Sequence, residues 1–256
     1  MVVKIDDTKK VEPLFAEWQE TLIWSCLQKV MGEIYADSME RPTSTMALLG
    51  DFCFLAGNPN EELLHCISRQ CKNDSIIMVP QDTMWATLIT YIFKDKAKKV
   101  IRYAIKKEKH IFDKAKLERV VSSLPQEYFL QLIDHEMYHL CRANEWSTDL
   151  VSQFQNYEMF QELGLGVVIL QNGEIVSGAS SYSRYQDGIE IEIDTKREYR
   201  RKGLAYVCGA KLILECLKRD LYPSWDAQNK WSVALAEKLG YHLDHEYLAY
   251  EINFNK

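Results

Sequence analysis

The chain lacks any run of the ~18 apolar residues a membrane helix requires, any C-x-x-C pair and any excess of positive charge, and Met1-Val2-Val3-Lys4-Ile5-Asp6-Asp7 is no signal peptide. The first absence argues against a spanning helix. The second argues against a thiol redox motif, and the seven cysteines are odd in number and scattered among apolar neighbours, as in Asp51-Phe52-Cys53-Phe54-Leu55. That usage suits a reducing compartment and predicts a cytoplasmic protein. A net charge of −6 argues against a nucleic-acid partner. The basic stretch from Lys94 to Lys109 reads as a solvated helix end and strand edge, because Val100, Ile101, Tyr103 and Ile105 interleave with its charges. What remains is 256 residues with 47% apolar content, enough for one large α/β domain or two moderate ones.

The most informative segment is Arg200-Arg201-Lys202-Gly203-Leu204-Ala205, a basic turn between two periodic stretches. Upstream, Gly188-Ile189-Glu190-Ile191-Glu192-Ile193-Asp194 alternates with the period of a half-buried strand, isoleucines inward and carboxylates outward. Downstream, Leu204, Val207, Cys208, Leu212, Leu214, Cys216 and Leu217 recur at near-helical spacing. A glycine at such a strand-to-helix turn lets backbone approach a ligand, and the N–H groups that open the helix favour an anion, phosphate above all.

The R-x-x-G-x-A string resembles the GNAT superfamily of acetyl-CoA-dependent N-acetyltransferases, whose motif is [QR]-x-x-G-x-[GA]. A second stretch, Trp225-Asp226-Ala227-Gln228-Asn229-Lys230-Trp231-Ser232 followed by Leu235-Ala236-Glu237-Lys238-Leu239-Gly240-Tyr241, is similar to a bacterial GNAT subgroup that includes zwittermicin-resistance-like acetyltransferases. The resemblance implies a mixed, mostly antiparallel, splayed α/β sheet flanked by helices. It implies acetyl-CoA as acyl donor and a primary amine of a small molecule as acceptor. Pantetheine would pair with backbone at Ile193, Asp194 and Thr195, and the pyrophosphate would rest on N–H groups from Arg201 through Lys202, Gly203 and Leu204 to Ala205. The Arg200 guanidinium would be free to add charge. Asn229 and Ser232 fall where the family contacts cofactor, although Asn229 also reads as a helix cap and Ser232 as a first-turn hydroxyl.

Acyl transfer from a thioester to an amine needs a base for the ammonium proton, an oxyanion donor and an acid for the leaving thiolate. Glu190 and Glu192 share one strand face about 7 Å apart, and either can take the proton. Glu190 is preferred because its distance from the glycine turn resembles that of the base in some GNAT histone acetyltransferases, though a bulge would exchange the two. Asp226, ending the next strand, is a candidate for amine recognition, and Trp225 reads as core. One position departs from the family: the tyrosine that protonates the thiolate in many members is here Ala236. Tyr241, water or unaided departure of the thiolate are the alternatives. A catalytically lapsed acyl-CoA-binding protein is the second reading.

The rest of the chain predicts alternating elements. Residues 1–125 form an N-terminal α/β region, with Glu12 to Met31 amphipathic, Thr45 to Ala56 strand-like, Glu61 to Cys71 helical, Ser75 to Val79 a strand, Thr83 to Phe93 and Asp113 to Leu124 helices around a strand at 99–107. A strand pair, a helix and a strand recur as in a degenerate GNAT-like half, without a glycine cradle. Residues 126–256 form the acetyltransferase domain. They begin with a strand from Tyr128 to Ile133 and a helix from Asp149 to Gln161 that stops at Gly164 in a left-handed turn. Hairpins turn at Asn172-Gly173 and Asp187-Gly188. A strand follows from Tyr222 to Asp226, then a helix from Asn229 to Leu239, ended by Gly240, and a strand from Tyr247 to Phe254. A third reading comes from His135-Glu136-Met137-Tyr138-His139, which matches the H-E-x-x-H zinc signature with Glu158 as third ligand, but a short helix there is not the long buried one such an architecture uses. The sequence alone leaves the oligomeric state and the acceptor unnamed.

Overall fold

A computed structural model describes residues 2–70 and 74–254, so Cys71 lies outside the described residues. The described chain forms two compact units, residues 1–102 with 246–256, and residues 103–245. It passes from the first to the second within one strand and returns within another. Residues 103–125 therefore group with the second unit, where helix 114–122 packs on helix 204–217.

The first unit opens with β1 (Val3–Lys4), two 3-10 turns and α1 (Thr21–Leu27). The amphipathic stretch expected over Glu12 to Met31 is thus broken, with only its second half α-helical. The strand-like stretch Thr45 to Ala56 is a hairpin, β3 (Ser44–Leu49) and β4 (Phe52–Gly57), because Gly50 turns the chain with positive φ. A strand not foreseen, β2 (Glu33–Ala36), joins β1 to β3. Then come α2 (Glu61–Gln70), β5 (Ser75–Pro80), parallel to β4, and α3 (Thr83–Phe93). The strand β6 (Ala97–Ile105) leads out of the unit, and residues 250–253 of β13 (Leu243–Asn253) pair antiparallel with β5. Met46, Cys53, Leu55, Leu63, Leu64, Ile76 and Trp85 fill its core.

The second unit repeats this order. After α4 (Lys114–Ser122) come β7 (Phe129–Leu132), α5 (His135–Ala143), a 3-10 turn at Thr148–Leu150, α6 (Tyr157–Leu163), β8 (Gly166–Gln171), β9 (Glu174–Tyr185), β10 (Gly188–Thr195) and α7 (Leu204–Leu217). β11 (Tyr222–Ser224), β12 (Asp226–Ala227), α8 (Lys230–Leu239) and the start of β13 complete it. The sheet runs β11-β10-β9-β8-β7, antiparallel except for the β10–β11 pair. The helix expected over Asp149 to Gln161 is confined to α6: Asn156 caps it, and Leu150, Val151 and Phe154 are buried in an irregular segment ahead of it. Gly164 is extended, with φ −87, not left-handed; a Cβ there would collide with the Phe160 ring. The Asn172-Gly173 turn does have both residues at positive φ, as a two-residue hairpin requires. No helix among the described residues is long and apolar enough to cross a membrane.

What positions the site is the packing of α7 on the isoleucine face of β10. Ile189 and Ile191 are buried with Leu204, Val207, Cys208, Leu212, Ile213 and Cys216, and each large aliphatic contributes about 1.5–3 kcal/mol. Gly209 permits the close approach, since a Cβ would lie 2.8 Å from Leu239 Cδ1 and 3.2 Å from Ile193 Cδ1. At the far end, buried Glu215 receives Lys211 at 2.8 Å, Lys218 at 2.9 Å and Arg219 at 2.6 Å. Burial pushes its pKa up, but hydrogen bonds from Lys211, Arg219 and Lys218 outweigh burial and hold it at about 2. A depressed folded-state pKa stabilises above the unfolded value and the contribution is lost as pH falls towards 2. Glu215→Gln is expected to lower stability by about 2 kcal/mol at pH 7, and the deficit should shrink in denaturant titrations below pH 4; a constant deficit would contradict the ion cluster.

Candidate active site

The helices of this protein mostly open with a side-chain cap. Asn60, Asp82, Asp113, Asp134, Asn156 and Asn229 each accept from first-turn N–H groups of α2 to α6 and α8. α7 opens instead on Gly203, at φ 82, with no side-chain cap, following Arg201 at φ 63. Left-handed residues in a turn direct successive N–H groups to one side, forming an anion-binding concavity. The N–H groups of Arg201, Lys202, Gly203, Leu204 and Ala205 donate to no protein acceptor among the described residues. A Cβ on Gly203 would meet nothing within 4 Å. The space beside Gly203 is open.

The basic side chains around the turn are differently employed. Arg200 is not free: its Nε donates to the Thr195 carbonyl at 3.1 Å and Nη2 lies 3.6 Å from Asp194 Oδ1. It ties the turn to the end of β10. Lys202 Nζ sits over the Tyr199 ring at 4.5 Å. Arg201 carries no such contact among the described residues.

β10 and its parallel neighbour separate beside this turn. β11 pairs with Gly188, Ile189 and Glu190 only. Beyond Ser224 the chain leaves β10, and Asp226 and Ala227 pair with Ala104 and Tyr103. Ile191 to Thr195 are thus left without that neighbour, which is a V-shaped opening. Ile193, Asp194 and Thr195 line its β10 side, with Asp194 Oδ1 accepting from Thr195 N at 2.6 Å and Thr195 Oγ1 lying 2.7 Å from Ser177 Oγ. Asp226 stands half-buried at the other side.

Both glutamates face away from α7, but not to solvent as the alternation suggests: Glu190 is 6% exposed and Glu192 is half-buried. The register does shift between Glu190 and Ile191, and the extra residue is Tyr182 of β9, so β10 keeps its alternation and both glutamates share a face. Ser183 pairs with Glu190, Ser224 flanks it from β11, and Tyr185 Oη lies 3.0 Å from Ser224 Oγ. Burial, with Glu190 nearby, raises the Tyr185 phenol, and burial pushes Tyr222 up to about 12.

The second motif is largely structural. Asn229 Oδ1 caps α8 through Trp231 N and Ser232 N, both at 3.0 Å, and Ser232 Oγ accepts from Trp225 Nε1 at 3.1 Å. Trp225 is core, as its position suggests. Ala236 is fully buried. Tyr241 is 1% exposed and donates to the Pro223 carbonyl at 2.6 Å, and burial raises its phenol well above the ordinary value, so it is committed to the core and is a poor proton donor.

The zinc reading does not gain a donor set. His135 and His139 are exposed on the nine-residue α5, Nε2 to Nε2 3.3 Å, and no group of three potential ligands is assembled among the described residues. Purified protein is expected to carry no stoichiometric zinc by metal analysis; one equivalent lost with His139→Ala would overturn this.

A GNAT acetyltransferase family model matches residues 12–250, nearly the whole described chain. The chain belongs to the GNAT acetyltransferase family. A GCN5-related N-acetyltransferase-like protein from Streptococcus suis 89/1591 is 48% identical in sequence, with a TM-score of 0.91 over 96% of this chain and 98% of that one. An uncharacterized N-acetyltransferase, YdfB of Bacillus subtilis strain 168, is 27% identical over 241 residues, 90% of this chain and 89% of its own length. A tandem GNAT protein from the clavulanic acid biosynthesis pathway shares the fold at 10% identity, with a TM-score of 0.55 over 99% of this chain and 98% of its own. The protein is thus an acyltransferase of mixed α/β, splayed-sheet GNAT architecture, in a family that generally uses acetyl-CoA.

Sequence reasoning about this GNAT chain overlooked Ser180, Ser183, Tyr185 and Ser224 around the glutamates. Their signal was the run Ser177-Gly178-Ala179-Ser180-Ser181-Tyr182-Ser183, in which small polar residues fill a strand that is buried on both faces. For the turn, Gly203→Asp is expected to abolish acetyl-CoA binding in calorimetry, because the carboxylate would occupy the amides meant for an anion; unchanged affinity would remove the cradle from the site.

Proposed function

We propose that this protein transfers the acetyl group of acetyl-CoA to the primary amine of a small molecule, with the unit of residues 103–245 as the catalytic half, in place of a division at residue 125, and the unit of residues 1–102 with 246–256 as a GNAT-like half without activity of its own. The observation that carries this reading is the set of unpaired N–H groups from Arg201 to Ala205, beside an opening between β10 and β12 and a carboxylate face on β10. The first unit supplies the contrast. Its equivalent parallel pair stays closed from Phe52 to Leu55, Asn60 caps the helix that follows, and the Gly57 N–H is taken by Gln81. The same order of elements there gives the amides of Glu62 and Leu63 to the Asn60 side chain, where a phosphate would compete with it. Fold likeness to a tandem GNAT protein across nearly the whole chain supports the two-half reading.

In this reading Arg201, Lys202, Gly203, Leu204 and Ala205 hold the pyrophosphate, and backbone at Ile193 to Thr195 orients the pantetheine arm. Acetyl-CoA supplies a thioester carbonyl activated towards amines. Glu190 takes the proton of the acceptor ammonium, with Glu192 and Asp226 drawing the cation into place. The amine nitrogen attacks the carbonyl carbon, the C–N bond forms, and the C–S bond breaks with its electron pair going to sulfur. The modest basicity of a thiolate lets it leave and take a proton from water, which regains one from the nitrogen as the amide forms; this suits a site where Ala236 replaces a tyrosine and the nearby phenols are raised. Asn229 and Ser232 serve by fixing the first turn of α8 and Trp225.

The test is thiol release from acetyl-CoA with a panel of small amines, alongside acetyl-CoA binding by thermal shift. Turnover is expected; a stabilising shift with no turnover across the panel would identify a lapsed acyl-CoA-binding protein instead. Glu190→Gln is expected to cut kcat at pH 7 by about 10²-fold or more, with the defect easing at high pH where the amine is already neutral. A defect equal at all pH values would remove Glu190 as the base.

A further inference from the structure

The His135-Glu136-Met137-Tyr138-His139 segment has no part in the acyl-transfer reading, yet its imidazoles are held in a defined arrangement. One helical turn apart on α5, His135 and His139 are neighbours on an exposed face. Their Nε2 atoms stand 3.3 Å apart. That is longer than the roughly 3.0 Å of a well-formed hydrogen bond from a ring N–H. It matches two nitrogens bound to one tetrahedral ion, because bonds of about 2.05 Å at the tetrahedral angle set them about 3.3 Å apart. A right-angled site, square-planar or octahedral, would bring them to about 2.9 Å.

Exposed side chains ordinarily sample several rotamers, and ordering them opposes binding. Here the rings are already braced. His135 meets the Tyr157 ring edge-on with centroids 5.0 Å apart, and His139 meets Tyr138 at 5.4 Å. The two tyrosines pack on each other at 5.8 Å. Tyr138 is buried, and its Oη donates to the Phe154 carbonyl at 2.7 Å. α5 is anchored by buried Met137 and Cys141 and capped by Asp134. Charge does not oppose a cation here: Arg142 and Glu158 both act on the Tyr138 phenol and offset one another beside His139, while Asp134 and Glu136 offset the positive end of the α5 dipole.

We infer that His135 and His139 form a two-point chelate for a tetrahedral divalent cation, zinc by ligand type and nitrogen spacing, with water in the remaining positions. This is a reversible surface site, unlike the hydrolytic zinc centre that H-E-x-x-H denotes elsewhere, since no third protein ligand is gathered there among the described residues. Half the donors of a closed four-ligand site give about the square root of its affinity, a Kd of roughly 1–200 μM. An ion held so weakly is lost on desalting, in keeping with purified protein free of stoichiometric zinc. Zinc binding here does not depend on acyl transfer.

Tag-free full-length protein, stripped with chelator and desalted, is titrated with zinc chloride by calorimetry beside His135→Ala, His139→Ala and His139→Gln. One equivalent is expected to bind in that range of Kd, weakened at least about tenfold in each variant. Metal-free melting temperatures should stay within about 2 °C of the parent, because both side chains are exposed. In the parent itself, zinc should move the imidazole proton resonances of His135 and His139 and leave those of His65, His110, His242 and His245 in place. No binding up to about 1 mM zinc overturns the inference and leaves a hydrogen-bonded pair only. Equal affinity in both alanine variants, or resonances moved at the other histidines instead, places the ion elsewhere and overturns it as well.

Discussion

The site depends on one backbone event: α7 begins on a left-handed glycine instead of a capping side chain. Six other helices satisfy their first-turn N–H groups internally with Asp or Asn. At Gly203 those donors stay available, and the helix dipole adds to them. A helix opened in this way is held in place only if the rest of it is well anchored. That is the role of the isoleucine face of β10, of Gly209 against Leu239 and Ile193, and of the Glu215 ion cluster at the other end. Arg200, tied to Thr195 and Asp194, fixes the turn to its strand.

The two halves show how little separates a GNAT-like scaffold from a candidate acyl-transfer site. Each has a hairpin, a parallel neighbour reached through a helix, and a closing strand. In the first, the parallel pair runs from Phe52 to Leu55 and the Asn60 side chain takes the amides of Glu62 and Leu63. In the second, β11 leaves after three paired residues and Gly203 leaves the amides open. A cap residue and the length of one strand pairing account for the difference, with no change in fold. Each unit also receives a strand from the far side of the chain crossing: residues 250–253 beside β5, and Tyr103 and Ala104 beside β12. The five-stranded sheet itself is built from one contiguous stretch, residues 129–224.

Much of this was legible beforehand where local rules dominate. The alternation at 188–195, the helical period after Gly203, the Asn172-Gly173 turn and the Asn229 and Gly240 ends of α8 each depend on a residue and its near neighbours. The expected helix over Asp149 to Gln161 failed because Leu150, Val151 and Phe154 supply helical spacing while being buried from an irregular segment. Gly164 was read as a left-handed end, yet it is needed for space beside Phe160.

Residue order alone determined the glycine turn proposed to hold an anion, its strand and helix, and the family, because a glycine, its φ and an uncapped helix start are properties of a few consecutive residues. Tertiary structure decided which groups are available. It withdrew Arg200 and Tyr241 into structural bonds, buried Glu190, and used one extra residue, Tyr182, to turn Ser180 and Ser183 to the glutamate face. Strand register and cross-strand burial are set by partners distant in the chain, and no local pattern encodes them.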